Sequence, residues 1–286
     1  MTHIPGHLAF VGFGEAATAF VNGWAAHRPG TLSAYDIRDD AEMQVRLADH
    51  DVTGGPIDQA LAGAEVVLSL VTADQALDAA RTAAPALAPG ALWLDCNSCA
   101  PGTKRQAAAA IEGAGARYVD VAVMAPVHPR RHHVPLLVSG PHAEAAAEVL
   151  RALDMRPEVS GDAVGQASAV KMIRSVMIKG LEALTAECFL SARRAGVEDR
   201  VLASLEASDP EMNWRERGAY NLERMMVHGP RRAAEMREVT TTVAELGLGG
   251  GISAAAADWQ ARIGALEADP GEDDLLARLD TVLRQL

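Results

Sequence analysis

The sequence predicts an α/β protein, with a doubly wound, mostly parallel sheet in the first half and an all-helical second half. Three observations predict this. Short β-type runs alternate with Ala-rich helical stretches as far as residue 161. A glycine-rich turn joins the first run to the first helix. Beyond Gly161 the β-type runs stop, and the rest of the 286 residues reads as helix.

The strands come in order as HLAFVGF, TLSAYDI, EVVLSLV, ALWLDCN, ARYVDVAVM and VPLLVSG, with MRPEVSGD as a last short one. Gly, Pro, Asp or Asn bounds each. Helical segments at 15–27, 73–84, 101–112 and 142–153 lie between them, the spacing of βαβ units. In the second half, breaks are expected near Gly196, Asp209-Pro210, Gly229-Pro230 and the GLGGG at 247–251. The domains are therefore expected to be residues 1–161 and 162–286. The second opens on a helix whose stripe of Val170, Ile173, Met177, Leu181 and Leu184 is joined by Met172, Val176 and Ile178 on other faces. Such a helix should be packed on most sides, yet it contains Lys171, a residue type seldom buried.

Apolar residues make up 49% and charged residues 22%, a globular composition. The net charge of -12 argues against nonspecific affinity for nucleic acid or an anionic membrane, but leaves room for a local pocket for an anionic small molecule. Three cysteines cannot build a disulfide framework, which points to a reducing compartment. The opening MTHIPGHLAFVGF lacks the basic region of a signal peptide, and no apolar run reaches the roughly 18 residues of a spanning helix. A soluble, cytoplasmic protein is expected.

The turn after the first strand is Gly12-Phe13-Gly14-Glu15-Ala16-Ala17, a G-x-G-x-x-A loop. Its first glycine permits the tight turn, its second lets backbone approach a pyrophosphate, and the small last residue lets helix and strand pack closely. The helix N-terminus then faces the phosphates. Asp36 lies 22 residues beyond Gly14, where an acid holds the ribose hydroxyls. Together these predict a Rossmann dinucleotide-binding domain. Asp36 favours NAD by repelling the extra phosphate of NADP. Arg38 could accept that phosphate, so NADP stays possible, or it is a solvated arginine before DDAE.

Ligands of such sheets sit at the carboxyl ends of the strands, here SLVTAD (69–74), LDCNSCAP (94–101) and VDVAVMAPVHP (119–129). Val71 and Thr72 are candidate cofactor contacts. Asn97 and Ser98 offer an amide and a hydroxyl to nicotinamide and substrate, or they cap the helix before Pro101. Cys96 and Cys99 read as packing residues, since nothing completes a zinc or redox site. His128, His132 and His133 are interrupted by Arg130 and Arg131, which fits an anion-facing loop or a charged crossover; no metal is expected.

The glycine loop, LDCNSCAP, VDVAVMAP, VGQASAVKMIRS and the helical second half together resemble the β-hydroxyacid dehydrogenase family, which includes 3-hydroxyisobutyrate and 6-phosphogluconate dehydrogenases. The resemblance implies a Rossmann domain, a helical 6-phosphogluconate-dehydrogenase-like C-terminal domain that dimerises, and an active site between them. It also implies that the lysine of G-x-x-x-x-x-K, Gly165 to Lys171, is the catalytic acid/base. The chain departs from the family in carrying Ser175 in place of an asparagine. It carries Met124-Ala125-Pro126 in place of a carboxylate-gripping Ser-Gly-Gly, and Ala234-Glu235 in place of a Lys-Asp pair. Met124, Ala125 and Ser175 are therefore the expected substrate contacts.

Hydride transfer to or from an alcohol carbon needs a proton partner, and a lysine serves if its surroundings lower its pKa. Arg174 could add like-charge pressure. On the helix pattern alone, Lys171 snorkels to water or pairs with a structural carboxylate; with the family context it is the acid/base. His228, Arg231 and Arg232 could hold an anionic substrate, or cap a helix or line a dimer interface. Trp214 and Tyr220 in DPEMNWRERGAY could line a pocket wall, with core packing the better reading of each. The expectation is an NAD(P)-dependent dehydrogenase or reductase acting on CH–OH groups, as a homodimer. Its rivals are imine reduction on the same fold and a nucleotide-binding sensor without turnover.

Overall fold

The computed structural model describes residues 4–286. In chain order the elements are β1 (His7–Val11), α1 (Glu15–Trp24), β2 (Thr31–Tyr35), α2 (Ala41–Asp49), β3 (Thr53–Gly54), α3 (Ile57–Leu61), β4 (Val66–Ser69), α4 (Ala76–Ala83), β5 (Leu92–Asp95), α5 (Pro101–Gly113), β6 (Arg117–Val123), β7 (Pro135–Ser139), α6 (Ala143–Ala152), β8 (Arg156–Gly161), α7 (Gln166–Ala195), α8 (Glu198–Ser208), α9 (Trp214–Glu245), α10 (Gly251–Gly264) and α11 (Leu275–Leu283).

The strands form one sheet in the order β3-β2-β1-β4-β5-β6-β7-β8. Every pairing is parallel except β6 with β7. Alternate residues of each strand face opposite sides. Phe10, Leu68, Leu94 and Val119 pack on one face with Phe20 and Trp24 of α1 and Leu150 of α6. Val11, Val67, Trp93 and Tyr118 pack on the other with Ala80 of α4 and Ala107 and Ile111 of α5. Burial on both faces is why these strands read as continuous apolar runs.

The chain divides into two compact units at Met172 and Ile173, within α7. That lies beyond residue 161, where the sequence pattern changes. The start of α7 belongs to the sheet unit because the backbone N–H groups of Gly165 and Ser168 bond to Asp120 of β6, and that of Ala167 to Ser139 of β7.

The second unit is built on Phe189 and Leu190 of α7, Leu202 of α8, Met225 and Met226 of α9, Ile263 of α10 and Leu275, Leu279 and Val282 of α11. Among the described residues nothing beyond Gly161 is strand. The expected break at Gly229-Pro230 does not occur, and α9 runs through Pro230. A Cβ on Gly229 would meet Gln260 O and Gly264 Cα of α10, both at 2.5 Å, and one on Gly264 would meet Pro230 Cδ at 2.6 Å. The glycine–proline pair is thus the contact point of two closely packed helices.

The expectation of a helix buried on most sides is also corrected. Val170, Ile173, Met177, Ile178 and Leu184 of α7 are exposed, Met177 by 71%. The buried stripe runs instead through Met172, Ser175, Lys179, Glu182, Ala183 and Ala186.

Candidate active site

The glycine loop sits where β1 meets β4, the point at which strand order reverses. Gly12 has φ +87°, and a Cβ there would lie 2.6 Å from Leu70 O, so only glycine fits. Its N–H donates to Tyr35 O at 2.8 Å. Gly14 differs: a Cβ on it would meet nothing within 4 Å. Gly14 caps α1 with no side-chain bond to the helix start, while Ala17 is fully buried against the sheet. Glu15 and Ala16 form the first turn. Open space above a glycine at an uncapped helix N-terminus fits the pyrophosphate of a dinucleotide.

Asp36 faces this loop. Its Oδ2 accepts from Phe13 N at 2.7 Å and its Oδ1 from Arg38 N at 2.9 Å, which fixes the carboxylate at the carboxyl end of β2. The Phe13 side chain itself is buried in the core. The Arg38 guanidinium bonds Asp40 at 2.9 and 3.1 Å and Glu42 at 2.9 Å. These acids hold it in the charged form even above arginine's ordinary range.

At the end of β5 the Asn97 side chain lies in a buried polar network. Asn97 Oδ1 accepts from Val71 N at 2.7 Å, and Nδ2 donates to Ser69 Oγ at 2.9 Å and Asp95 Oδ1 at 2.8 Å. Asn97 thus ties the ends of β4 and β5 together, with both atoms of its amide engaged inside the sheet unit. Val71 is held by that bond, and Thr72 is exposed beside it. Ser98 is half-buried, and its Oγ accepts from Lys171 Nζ at 2.6 Å. The structure thereby joins two of the sequence candidates from distant positions.

Sequence reasoning missed the residues beneath them. Lys104 of α5 is 0% exposed, and its Nζ donates to Asp95 O at 2.6 Å and Asp95 Oδ1 at 2.9 Å and lies 3.4 Å from Asp120 Oδ1. Tyr118 Oη donates to Asp95 Oδ2 at 2.6 Å. Burial works against the Lys104 charge, but Asp95 and Asp120 overcome it and push its pKa above the usual lysine range. Burial, then the same two carboxylates, pushes the Tyr118 hydroxyl up. A signal was available: Lys104, Ala107, Ala108 and Ile111 have the spacing of one helix face, and all four are buried.

The chain has 26 basic side chains but only three lysines, Lys104, Lys171 and Lys179. None of the three is exposed. In the second unit Lys179 is buried, with Nζ 2.6 Å from Glu235 Oε2 and 3.5 Å from Ser175 Oγ. Arg232, a candidate anion contact, is instead a core residue. Its guanidinium grips Glu182, with Nε to Oε2 at 3.0 Å, and Gln260 Nε2 donates to the same Oε2 at 2.7 Å. Arg231 is exposed and His228 half-buried on the same helix. Tyr220 is 49% exposed, against its reading as core, while Trp214 packs on the core.

Met124 donates its N–H to Pro135 O at 2.9 Å, and Ala125 packs on the sheet core. Cys96 and Cys99 are buried, and burial pushes the Cys96 thiol up to about 12. His132 and His133 converge on Asp154, at 3.5 and 2.9 Å. The second oxygen of Asp154 accepts from Arg156 at 2.8 Å, and this cation opposes a metal ion at the cluster. Among the described residues no helix is long and apolar enough to cross a membrane.

Residues 7–160 match the model of the NAD binding domain of 6-phosphogluconate dehydrogenase, and residues 192–263 match a domain of unknown function, DUF1932. A conserved hypothetical protein from Sinorhizobium meliloti 1021 is 40% identical, with 98% of this chain and 96% of that one covered and a TM-score of 0.76. The conserved protein MTH1747, of unknown function and structurally similar to 3-hydroxyacid dehydrogenases, is 29% identical over 90% and 98% of the two chains, with a TM-score of 0.69. The 3-hydroxyisobutyrate dehydrogenase of Mycobacterium tuberculosis, solved with L-serine, shares the fold at 18% identity, 98% and 99% coverage and a TM-score of 0.73.

Proposed function

This chain belongs to the family of the NAD binding domain of 6-phosphogluconate dehydrogenase, and on that premise we propose that it is an oxidoreductase moving a hydride between a nicotinamide cofactor and a hydroxy acid or related alcohol. The observation that carries this reading is the 2.6 Å bond from Lys171 Nζ to Ser98 Oγ at the carboxyl edge of the sheet. When bound, the nicotinamide accepts the hydride in oxidation and supplies it in reduction. Lys171 takes the hydroxyl proton of the substrate as the carbon loses its hydride, and returns it in the opposite direction. Ser98 orients the amine, and Ser175, one turn further along α7, helps to position substrate or amine.

Gly14 at the start of α1 would hold the pyrophosphate of the cofactor, and Asp36 its adenosine ribose. NAD is the preferred cofactor. Asp36, Asp40 and Glu42 are three carboxylates beside the place of an added phosphate, and Arg38 is already engaged by two of them. Use of NADP would require Arg38 to exchange those partners for the phosphate.

The exposed apolar stripe of Val170, Ile173, Met177 and Leu184 supports a homodimer formed through α7. Three free cysteines and the net charge of -12 support a cytoplasmic protein acting on small molecules rather than nucleic acid.

Paired calorimetric titrations with NADH and NADPH, followed by turnover with a panel of 3-hydroxy acids including L-serine, test the proposal. NADH should bind more tightly and at least one hydroxy acid should reduce NAD. Failure of folded protein to bind either cofactor would overturn the reading, as would turnover confined to cyclic imines.

A further inference from the structure

Lys104 is a fully buried cation that the proposed chemistry does not touch. It lies between two carboxylates, each of which organises a different segment. Asp95 accepts from Asn97 N at 3.0 Å and Asn97 Nδ2 at 2.8 Å, and so shapes the loop that carries Ser98. Asp120 Oδ2 accepts from Gly165 N at 3.1 Å, Ser168 N at 2.9 Å and Ser139 Oγ at 3.2 Å, and so caps the helix that carries Lys171. A carboxylate at a helix N-terminus is favoured by the helix dipole as well as by these bonds. The other oxygen of Asp120 has Lys104 beside it.

We infer that Lys104 is a positioning residue whose buried ammonium couples the Ser98 loop to the start of α7, and so sets the contact between Ser98 and Lys171. Packing alone does not require a cation here, because methionine would fill the same stripe of α5. What methionine cannot do is hold two buried carboxylates close together, since one of them would then take up a proton or move away. Either response moves one of the two segments relative to the other. An arginine would bring a planar fork where a compact ammonium bonds the carbonyl and carboxylate of a single residue. The chain uses arginine for all but three of its 26 basic residues, so a lysine at this position is a marked choice. The inference rests on the proposed role of Lys171 for its consequence in catalysis, but not for the coupling itself.

Hydrogen exchange tests the coupling without any substrate. Asp95 touches none of Gly165, Ala167 or Ser168, yet Asp95→Asn should speed exchange of their amides about tenfold through Lys104. In a Lys104→Met background the same change should no longer speed exchange, because it then removes one of two carboxylates left without their shared cation. With only three lysines, [13C]lysine-labelled protein gives a separable ε-CH2 correlation for Lys171, identified by its loss in Lys171→Ala. That correlation should move in Lys104→Met and in Lys104→Met/Asp120→Asn, which removes the uncompensated charge and guards against unfolding. The inference is overturned if Asp95→Asn leaves the α7 amides at wild-type rates, or if the Lys171 correlation is unmoved in folded Lys104 variants. A fully active Lys171→Ala would instead defeat the catalytic reading and leave the exchange result standing.

Discussion

Replacing the two glycines of the first loop separately distinguishes a nucleotide cradle from a merely structural turn. At Gly14 a Cβ meets nothing within 4 Å, and the backbone, at φ -92° and ψ -154°, is open to a β-branched residue. Gly14→Val should therefore cost only about 1 kcal/mol, the loss of a favoured N-cap residue with no steric clash. Its side chain would nonetheless fill the space proposed for the pyrophosphate, and NADH affinity should fall at least about 100-fold. Gly12→Ala should do the reverse. Its φ of +87° adds roughly 1–3 kcal/mol of strain to an L-residue. A Cβ at 2.6 Å from Leu70 O forces the β1 and β4 ends apart, for about 1–3 kcal/mol more. A loss of about 2–6 kcal/mol follows, a large part of an ordinary domain's stability. Urea midpoints and calorimetric NADH titration read the two effects. Wild-type NADH affinity in Gly14→Val would refute the reasoning, as would wild-type stability in Gly12→Ala.

Three further outcomes follow from the same geometry. Asp36→Asn removes the charge that holds the ribose edge, so NADH binding should weaken about tenfold or more while NADPH binding improves; parallel titrations check both signs. Arg232→Met leaves Glu182 buried without its cation and should cost about 3–5 kcal/mol in urea unfolding, much of it recovered in Arg232→Met/Glu182→Leu. Cys96, whose thiol burial holds at about 12 against 9.0 in the open chain, stays neutral at pH 8. Iodoacetamide should leave it unmodified until urea is added. Because the unfolded chain ionises this thiol first, its contribution to stability is intact below pH 9 and is lost between pH 9 and about 12.

The parts legible in the sequence were those set by burial on both faces or by a backbone constraint. Six strands read as β-type runs and β8 only as a short segment after them, whereas β3, two exposed residues at Thr53–Gly54, has no apolar pattern to detect. Gly12, Gly14 and Asp36 were legible because the turn, the approach and the acid keep fixed spacings. Gly229-Pro230 misled because the residue that makes room for it, Gly264, lies on another helix. On α7, apolar residues line two faces, so periodicity alone could not show that the stripe with Ser175, Lys179 and Glu182 is the buried one. Lys104 is hard to read as buried because lysine is a surface residue type, although its spacing with Ala107, Ala108 and Ile111 points inward. The pairing of Arg232 with Glu182 is not legible in the sequence because the two are fifty positions apart.

Single-turnover hydride transfer with wild-type protein and Lys171→Ala bears most directly on the enzyme reading. Each would be loaded with the nicotinamide cofactor it binds and mixed with the hydroxy acid found in the panel. Lys171→Ala should bind the cofactor within about twofold of wild type and transfer the hydride about 10²–10⁴-fold more slowly. Equal rates in the two proteins would contradict it.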